Sequence, residues 1–385
     1  MKKIKTCAII GMKNTIYCPF EVNDNKEISK YFDKVKLYFL RSSKNGELPK
    51  YTSKIKVCET KITCEFLIRL IFFSKNFYKS IQIIILSNDS LLEKIKQIIL
   101  LPKALLISDI INQNPPDLIH LFWGHYPSLV VLNLRKDLTS KLSIFLGAYD
   151  FRKKLEISKI ASKKANFIFT HSKKRVNQIK KFLGSEIKIV YNYRGINLKE
   201  FKNISENKKK YTFCTVSSLE KHKNIESVIY NFKKIKKKYN KSKLYIIGKG
   251  SLEEHLKQVV KNLKLEASVN FLGWLSKDDL YKVLSQSQFY LHFSKVDVIP
   301  NSIKEAMYSR CFVLSSKTFA IEEIIDHEKN GFIINPNNAK NIVKVIDFCL
   351  NSELSKNVTK NARIKIKQNF DLEKNINFFI KHSLN

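Results

Sequence analysis

Acids are scarce in this 385-residue chain: 34 Asp and Glu stand against 70 Lys and Arg, leaving a net charge of +36. Part of that surplus is compositional, because Lys, Asn and Ile are abundant throughout. A surface this positive still favours anionic partners: phosphorylated small molecules, acidic lipid headgroups or nucleic acid. Paired cysteines are missing too. The seven present (Cys7, Cys18, Cys58, Cys64, Cys214, Cys311 and Cys349) are odd in number, scattered and without a CxxC pair. That pattern argues against a disulfide frame or a zinc site and for reduced thiols in the cytosol. Nor is any apolar run long enough to span a bilayer. FLIRLIFF (66–73) is interrupted by Arg69, and KQIILLPKALLISDII (96–111) by Pro102, Lys103 and Asp109, so contact with a membrane is expected to be peripheral. The start, MKKIKTCAIIGMK, has no A-x-A cleavage motif and reads as a first β-strand rather than a signal peptide.

What is present is ample for two folded domains. With 44% hydrophobic and 11% aromatic residues, the chain can bury ordinary cores, and its length suits two domains at roughly 150 residues each. Short β-rich runs alternate with helical patterns. Strands are expected at KTCAIIG, KVKLYFL, IQIIIL, DLIHLFW, LSIFLGA, NFIFTHS and IKIVYN. Between several of them helices are expected at 89–101, at 103–113 beyond Pro102, and at 154–165. The polar, lysine-heavy stretch 202–210 lacks apolar periodicity and reads as a linker between a domain at 1–201 and a second at 211–370. The second series runs from YTFCTVS through FYLHFS and CFVLSS to FIINP, with helices near 339–351, 354–367 and 372–383. Strand then helix, repeated, predicts parallel sheets covered on both faces: an α/β fold of two doubly wound, Rossmann-like domains. Ligands in such sheets bind beyond the carboxyl ends of the strands, and two facing domains would share a central cleft there.

The loops after strands therefore carry the candidates. SKVDVIPNSIKEAM (294–307) places Asp297 in a loop and Glu305 on the helix that Pro300 opens. Ile299, Asn301 and Ser302 stand at that helix start, where free N–H groups and a partial positive charge suit phosphate. On spacing alone these acids read as incidental, Asp297 solvated and Glu305 favouring the helix dipole. VSSLEKHKN (216–224) changes the odds, because it sets Ser217, Ser218 and Lys223 at a strand-to-helix junction, where a fixed ammonium could meet a diphosphate. GKGSLEEHL (248–256) offers Gly248 and Gly250 for a tight turn. Glu253 stands where a dinucleotide fingerprint needs its third glycine, which argues against a nicotinamide or flavin cofactor. In the first domain, LIHLFWGHYPS and FLGAYDFRKK set His125 and Asp150 at strand ends as acid-base or acceptor-binding groups. His120, inside an apolar strand, reads as a core histidine. The basic, amphipathic passage 152–182 either covers the surface or rests against acidic lipid.

Taken in order, VSSLEKHKN, KLYIIGKGSLEEHL, VNFLGWLSKDDLYKVL, DVIPNSIKEAM, EEIIDHEKNGFII and NARIKIKQNFDLEKN resemble the retaining group 1 glycosyltransferases of GT-B fold and E-x7-E type. The likeness runs from Tyr211 to Asn375 and continues more weakly through PPDLIHLFWGH, ANFIFTHSKKRVNQI and KIVYNYRGINLKEF. It implies sugar transfer from a nucleotide diphosphate sugar, with retention and without a required metal or cofactor. The acceptor would be a glycan or lipid-linked glycan of surface polysaccharide, lipopolysaccharide or capsule type. By resemblance Glu305 binds the nucleotide ribose, Lys223 the diphosphate and Asp297 the donor sugar, backbone amides from Ile299 to Ser302 (Pro300 excepted) assist, and the last helix (371–385) packs back on the first domain. The chain departs from the family at four places. Ser218 replaces a phosphate-binding Arg, Asp297 is one methylene shorter than Glu, Phe319-Ala320 replace paired glycines, and no His stands at the LGAYD turn. A cytoplasmic enzyme, peripheral on the inner face of the membrane, is the main expectation. A catalytically weak GT-B-like binding or scaffold protein is the alternative. No specific nucleic-acid partner is expected, since only charge points that way.

Overall fold

Two all-parallel sheets organise the chain, and the computed structural model describes residues 5–13, 19–41, 49–147, 150, 153–184, 188–201 and 208–384 of it. Met1–Tyr193 with Glu373–Asn385 form one unit, and Arg194–Leu372 form the other. The first unit holds β1 (Thr6–Lys13), β2 (Lys34–Arg41), β3 (Ile55–Val57), β4 (Leu118–Leu121), β5 (Lys141–Phe145), β6 (Phe167–Thr170) and β7 (Ile189–Tyr191), paired in the order β3-β2-β1-β4-β5-β6-β7. Parallel strands are covered on both faces, so they are apolar throughout rather than alternating. Every residue of β4 and β6 is buried. The unit's helices up to this point are α1 (Pro19–Ile28), α2 (Cys64–Phe73), α3 (Lys75–Leu86), α4 (Leu91–Gln113), α5 (Glu156–Lys164) and α6 (Lys173–Leu183). His120 is a core histidine as expected, with Nδ1 2.9 Å from the Ser143 hydroxyl.

Two expectations fail in this unit. IQIIIL (81–86) is not a strand but the end of α3, whose start is capped by the Ser74 hydroxyl accepting from the Phe77 N–H at 3.2 Å. The run looked like a doubly buried strand because apolar residues occupy both faces of the helix, with Ile84 buried and Ile85 exposed. Pro102 does not separate two helices. It sits inside α4, where the lost hydrogen bond is outweighed by the burial of Leu100, Leu101, Ala104, Leu105, Ile107 and Ile111 on both sides of it. In the basic passage 152–182, read as either covering the surface or resting against acidic lipid, Ile157, Ala161 and Ile179 of α5 and α6 point into the core, as surface-covering helices do.

The second unit repeats the plan. Strands β8 (Lys209–Val216), β9 (Lys243–Ile247), β10 (Val269–Gly273), β11 (Ser287–His292), β12 (Phe312–Ser316) and β13 (Phe332–Ile334) pair in the order β10-β9-β8-β11-β12-β13. Helices α7 (Ile225–Lys238), α8 (Glu253–Asn262), α9 (Lys277–Gln286), α10 (Asn301–Tyr308), α11 (Ala339–Asn351) and α12 (Ser355–Asn369) cover it. In α7 the three- and four-residue spacing buries Val228, Ile229, Phe232 and Ile235 and leaves Lys233, Lys234, Lys237 and Lys238 in water. Phe213 stacks on Phe289 at 4.7 Å in the core between them.

The expected linker 202–210 falls largely on residues outside those described (202–207), while Lys209 and Lys210 already belong to β8. The division lies after Tyr193. Residues 194–201 go with the second unit because Ile196 bridges to Asp371, and Glu200 accepts from Lys277 at 2.6 Å and from the Tyr281 hydroxyl at 3.1 Å. The last helix, α13 (Leu372–Leu384), packs on the first unit: Phe379 meets His120 at 4.9 Å and Phe169 at 4.8 Å, and the Asn375 amide donates to the Tyr193 carbonyl at 2.6 Å.

Candidate active site

Strand order reverses in the second sheet between β8 and β11, which leaves a crevice at their carboxyl ends where open α/β sheets hold ligands. The loops leaving these strands, Ser217–Asn224 and Phe293–Pro300, are stitched to each other. The Lys295 N–H donates to the His222 carbonyl at 3.0 Å, the Ser294 hydroxyl to the same carbonyl at 3.2 Å, and the Asn224 amide to the Phe293 carbonyl at 3.1 Å. Asn224 takes a left-handed conformation, φ 55°, which ends a 3-10 turn over Lys221–Lys223 and starts α7 at Ile225. Lys223 thus lies just ahead of the helix rather than within it, and faces the second loop.

There its ammonium meets Asp297 at 2.6 Å, on Oδ1, while Nε2 of the buried His292 lies 3.0 Å from Oδ2. Burial pushes the Asp297 carboxyl up, but the hydrogen bond and charge of His292, then Lys223, outweigh it and hold the group well below the usual carboxylate range. Asp297 is therefore an anion, its Oδ1 held by the Lys223 ammonium and its Oδ2 facing the His292 ring. His292 was not anticipated. Its one signal is position, as the last residue of the strand beside the crevice, and a histidine in an apolar strand ordinarily reads as core.

Pro300 is the residue before α10, and Asn301 and Ser302 form the helix's first turn. The Tyr290 hydroxyl donates to the Val216 carbonyl at 3.2 Å and bonds the Ser302 side chain, tying α10 to the end of β8. Ile299 is buried. Lys304 is buried as well, its ammonium donating to the Arg194 carbonyl at 2.7 Å and to Asn301 Oδ1 at 2.9 Å. Glu305 follows one turn into the helix. No described residue donates a hydrogen bond to its carboxylate, and burial lifts the group to about 7, against the pull of Lys277 and Lys304 and with the help of Glu200. Such a carboxylate is an acceptor awaiting donors.

The glycines serve a different end. Gly248 has φ 130°, and a Cβ there would lie 1.8 Å from the Ser217 carbonyl oxygen; one on Gly250 would lie 2.5 Å from that of Leu219. Both therefore let the loop after β9 lie against the loop after β8, sealed by Leu219 N–H to the Lys249 carbonyl and Leu252 N–H to the Leu219 carbonyl, each 3.0 Å. Ser217 donates to the Ser218 carbonyl at 3.1 Å, and Ser218 is exposed.

In the first unit the loops after β4 and β5 come together. Asp150 Oδ2 accepts from the Gly147 N–H at 2.7 Å, and the backbone of His125 and Gly124 also bonds this carboxyl. Burial dominates and pushes it to about 7. Nδ1 of His125 accepts from the Tyr126 N–H at 2.8 Å, which fixes the tautomer. Burial, with Lys153 adding to it against Glu93, takes His125 down to about 3, so the ring is neutral at physiological pH. Among the described residues no group of three His, Cys, Asp or Glu side chains stands together as a metal site.

Residues 197–365, nearly the whole second unit, match the family of glycosyl transferases group 1. Among curated relatives it is 27% identical to an uncharacterized glycosyltransferase of Methanocaldococcus jannaschii, over 65% of this chain and 64% of the relative. It is 25% identical to the N-acetyl-alpha-D-glucosaminyl L-malate synthase of Bacillus anthracis, over 49% and 51%. The matches thus span about half to just under two thirds of those relatives. Among solved structures, Anabaena Alr3699/HepE in complex with UDP and glucose superposes with a TM-score of 0.71 at 14% identity, over 98% of this chain and 99% of that one. The sucrose-phosphate synthase of Thermosynechococcus elongatus does so with a TM-score of 0.70 at 14% identity, over 98% of each. The fold is GT-B.

Proposed function

We propose that the protein transfers a sugar from a nucleotide diphosphate sugar to a glycan or lipid-linked acceptor, with retention and without a metal, in the building of a surface polysaccharide of lipopolysaccharide or capsule type. The observation that carries this reading is the convergence of Lys223, Asp297 and the start of α10 at the switch point of the second sheet. In this reading Glu305 accepts the two ribose hydroxyls. Lys223 leaves Asp297 in part to meet the departing diphosphate, helped by the N–H groups of Ile299, Asn301 and Ser302, so that charge developing on the leaving group is met by groups already in place. Asp297, anchored by His292, faces the donor sugar. Gly248 and Gly250 keep the floor of the site close, with Ser217 and Ser218 at its edge. His125 and Asp150 stand on the acceptor side, where Asp150 positions the Gly124–His125 loop and the neutral His125 shapes the acceptor's approach. The setting is the cytoplasmic face of a membrane, with peripheral contact to anionic lipid.

Release of nucleotide from a panel of nucleotide sugars tests the reading. UDP-sugars form the first arm, because the Anabaena neighbour was solved with UDP. Turnover with one donor, lost in Asp297→Asn, is the expected result; neither binding nor turnover with any donor would sink it. A second reading, a binding or scaffold protein, draws on the exposed, uncharged Ser218, which leaves Lys223 as the one side-chain cation that the two loops hold against Asp297. Donor binding without transfer, indifferent to Glu305→Gln, would favour that alternative.

A further inference from the structure

A surface helix ordinarily turns its apolar stripe to the core and its polar residues to water. The first turns of α4 do the reverse. Glu93 and Gln97, 6% and 1% exposed, point inward, whereas Leu92 and Ile99, 61% and 67% exposed, point to solvent with Leu91 and Ile95 on the same stripe. The inversion is pinned: Glu93 holds Lys96 at 3.2 Å, Lys153 and the Tyr126 hydroxyl, and the Gln97 amide donates to Asp89 at 2.8 Å. The helix cannot roll to hide its leucines without breaking these contacts.

The two helices before it add to the same kind of surface. Exposed Ile68 and Phe72 stand on α2, and Tyr78, Ile85 and Leu86 on α3. The end of α3 and the start of α4 are tied where Lys94 Nζ donates to the Ile85 carbonyl at 2.7 Å. More than half of the large apolar side chains exposed among the described residues lie between Ile62 and Ile99. Bases are set among them, Arg69, Lys75 and Lys79 all exposed, and between Glu65 and Asp89 the sequence has no acid.

Concentrated apolar exposure marks an interaction site, and its company decides the partner. Leucine, isoleucine and phenylalanine set among Lys and Arg, with no acid between Glu65 at the start of α2 and Asp89 ahead of α4, fit the boundary of an anionic bilayer, where the apolar groups enter the acyl region and the bases meet headgroup phosphates. No helix among the described residues is long and apolar enough to cross a membrane. We infer that the outward faces of α2, α3 and the first half of α4 form a docking surface for an anionic lipid bilayer. This deepens the proposed function and rests on it for the reason a membrane is there. It also replaces 152–182 as the lipid-facing segment. The inner face of α4 grips Tyr126, next to His125, so the docked helix is joined to the loop assigned to the acceptor.

The whole chain is sedimented with vesicles of equal parts phosphatidylglycerol and phosphatidylcholine, and in parallel with phosphatidylcholine alone. Preference for the anionic vesicles is expected. The variant Leu92→Gln/Ile95→Gln/Ile99→Gln, which keeps the net charge, should lose about a hundredfold in partitioning. Its circular dichroism and melting temperature should be unchanged, because those side chains already stand in water. Lys75→Gln/Lys79→Gln should lose on the order of tenfold. Equal sedimentation of the wild type and the triple variant would overturn the inference. So would a dimer that the triple variant disperses while neither protein binds vesicles, since a second copy would then cover the face. Nucleotide binding is titrated in the same samples. Vesicle binding without nucleotide binding upholds the surface and sinks the transferase reading, and nucleotide binding without vesicle binding does the opposite.

Discussion

Asp150 and Asp297 both lie just beyond parallel strands, one in each unit, yet their surroundings make them different groups. Asp297 is met by side chains brought from elsewhere, Lys223 at 2.6 Å and His292 at 3.0 Å. Asp150 is met by peptide N–H groups, Gly147 at 2.7 Å among them. The first carboxyl lies well below its ordinary range and the second is pushed up to about 7. Burial acts on both in the same direction; converging positive charge reverses it at one, and amide dipoles fall short at the other. An acid after a strand is thus a charged, poised group only where a second loop supplies a cation, as the Lys223 loop does here. Elsewhere it is a cap that holds its own loop.

Substitutions that separate these two roles can break or sharpen the contrast. Lys223→Ala carries the largest expected effect, a loss of about 10²–10³ in turnover, the scale of removing one preorganised charge partner from a transition state; kcat for nucleotide release measures it, and a loss below about tenfold would place the leaving-group charge elsewhere. Next comes Glu305, whose carboxyl titrates at about 7. In its proposed role only the ionised form offers two acceptor oxygens to the two ribose hydroxyls, so nucleotide affinity should rise roughly tenfold between about pH 6 and about pH 8. Calorimetric titration of nucleoside diphosphate should show that slope, and Glu305→Gln should flatten it.

Asp150→Asn should act on stability instead. With its carboxyl raised from the ordinary 3.8 to about 7, the folded state holds the proton more tightly than the unfolded chain. Stability therefore falls as pH rises between those values and is level above them. The amide removes that fall and still accepts from Gly147, so urea melts at about pH 8 should show a gain of about 1–3 kcal/mol, with turnover changed less than about threefold. A turnover loss as large as that of Lys223→Ala would erase the contrast. His292→Gln carries the smallest effect. Keeping a donor for Asp297, it should cost a few-fold in kcat with KM unchanged, where His292→Ala costs about tenfold.

Most strands of the second unit were legible because parallel strands buried on both faces read as apolar runs, and the loops between them carry spaced motif residues. The first unit was harder for a physical reason: its helices α2 to α4 expose apolar residues. IQIIIL consequently looked like a strand, and Pro102 looked like a break because a local rule could not see the packing that holds α4 together. In the site, Asp297 and Lys223 were legible as residues of loops that follow strands, and Glu305 as a residue of the helix that Pro300 opens. His292 and the Glu200–Lys277 pair beside Glu305 were not, because nothing local marks a core-looking histidine or a surface-looking acid as a partner.

By itself the sequence determined the alternation of strands and helices, the parallel class of both sheets, and the placing of Asp297 and Glu305 on either side of a proline that opens a helix. Each of these follows from short-range spacing. Only the tertiary structure decided that Asp297 is a fixed anion, Asp150 a cap and α4 a helix with its apolar side turned out. A carboxyl's charge depends on what approaches it, here a lysine 74 positions away in the chain, and the outward face of a helix depends on which side the rest of the fold holds.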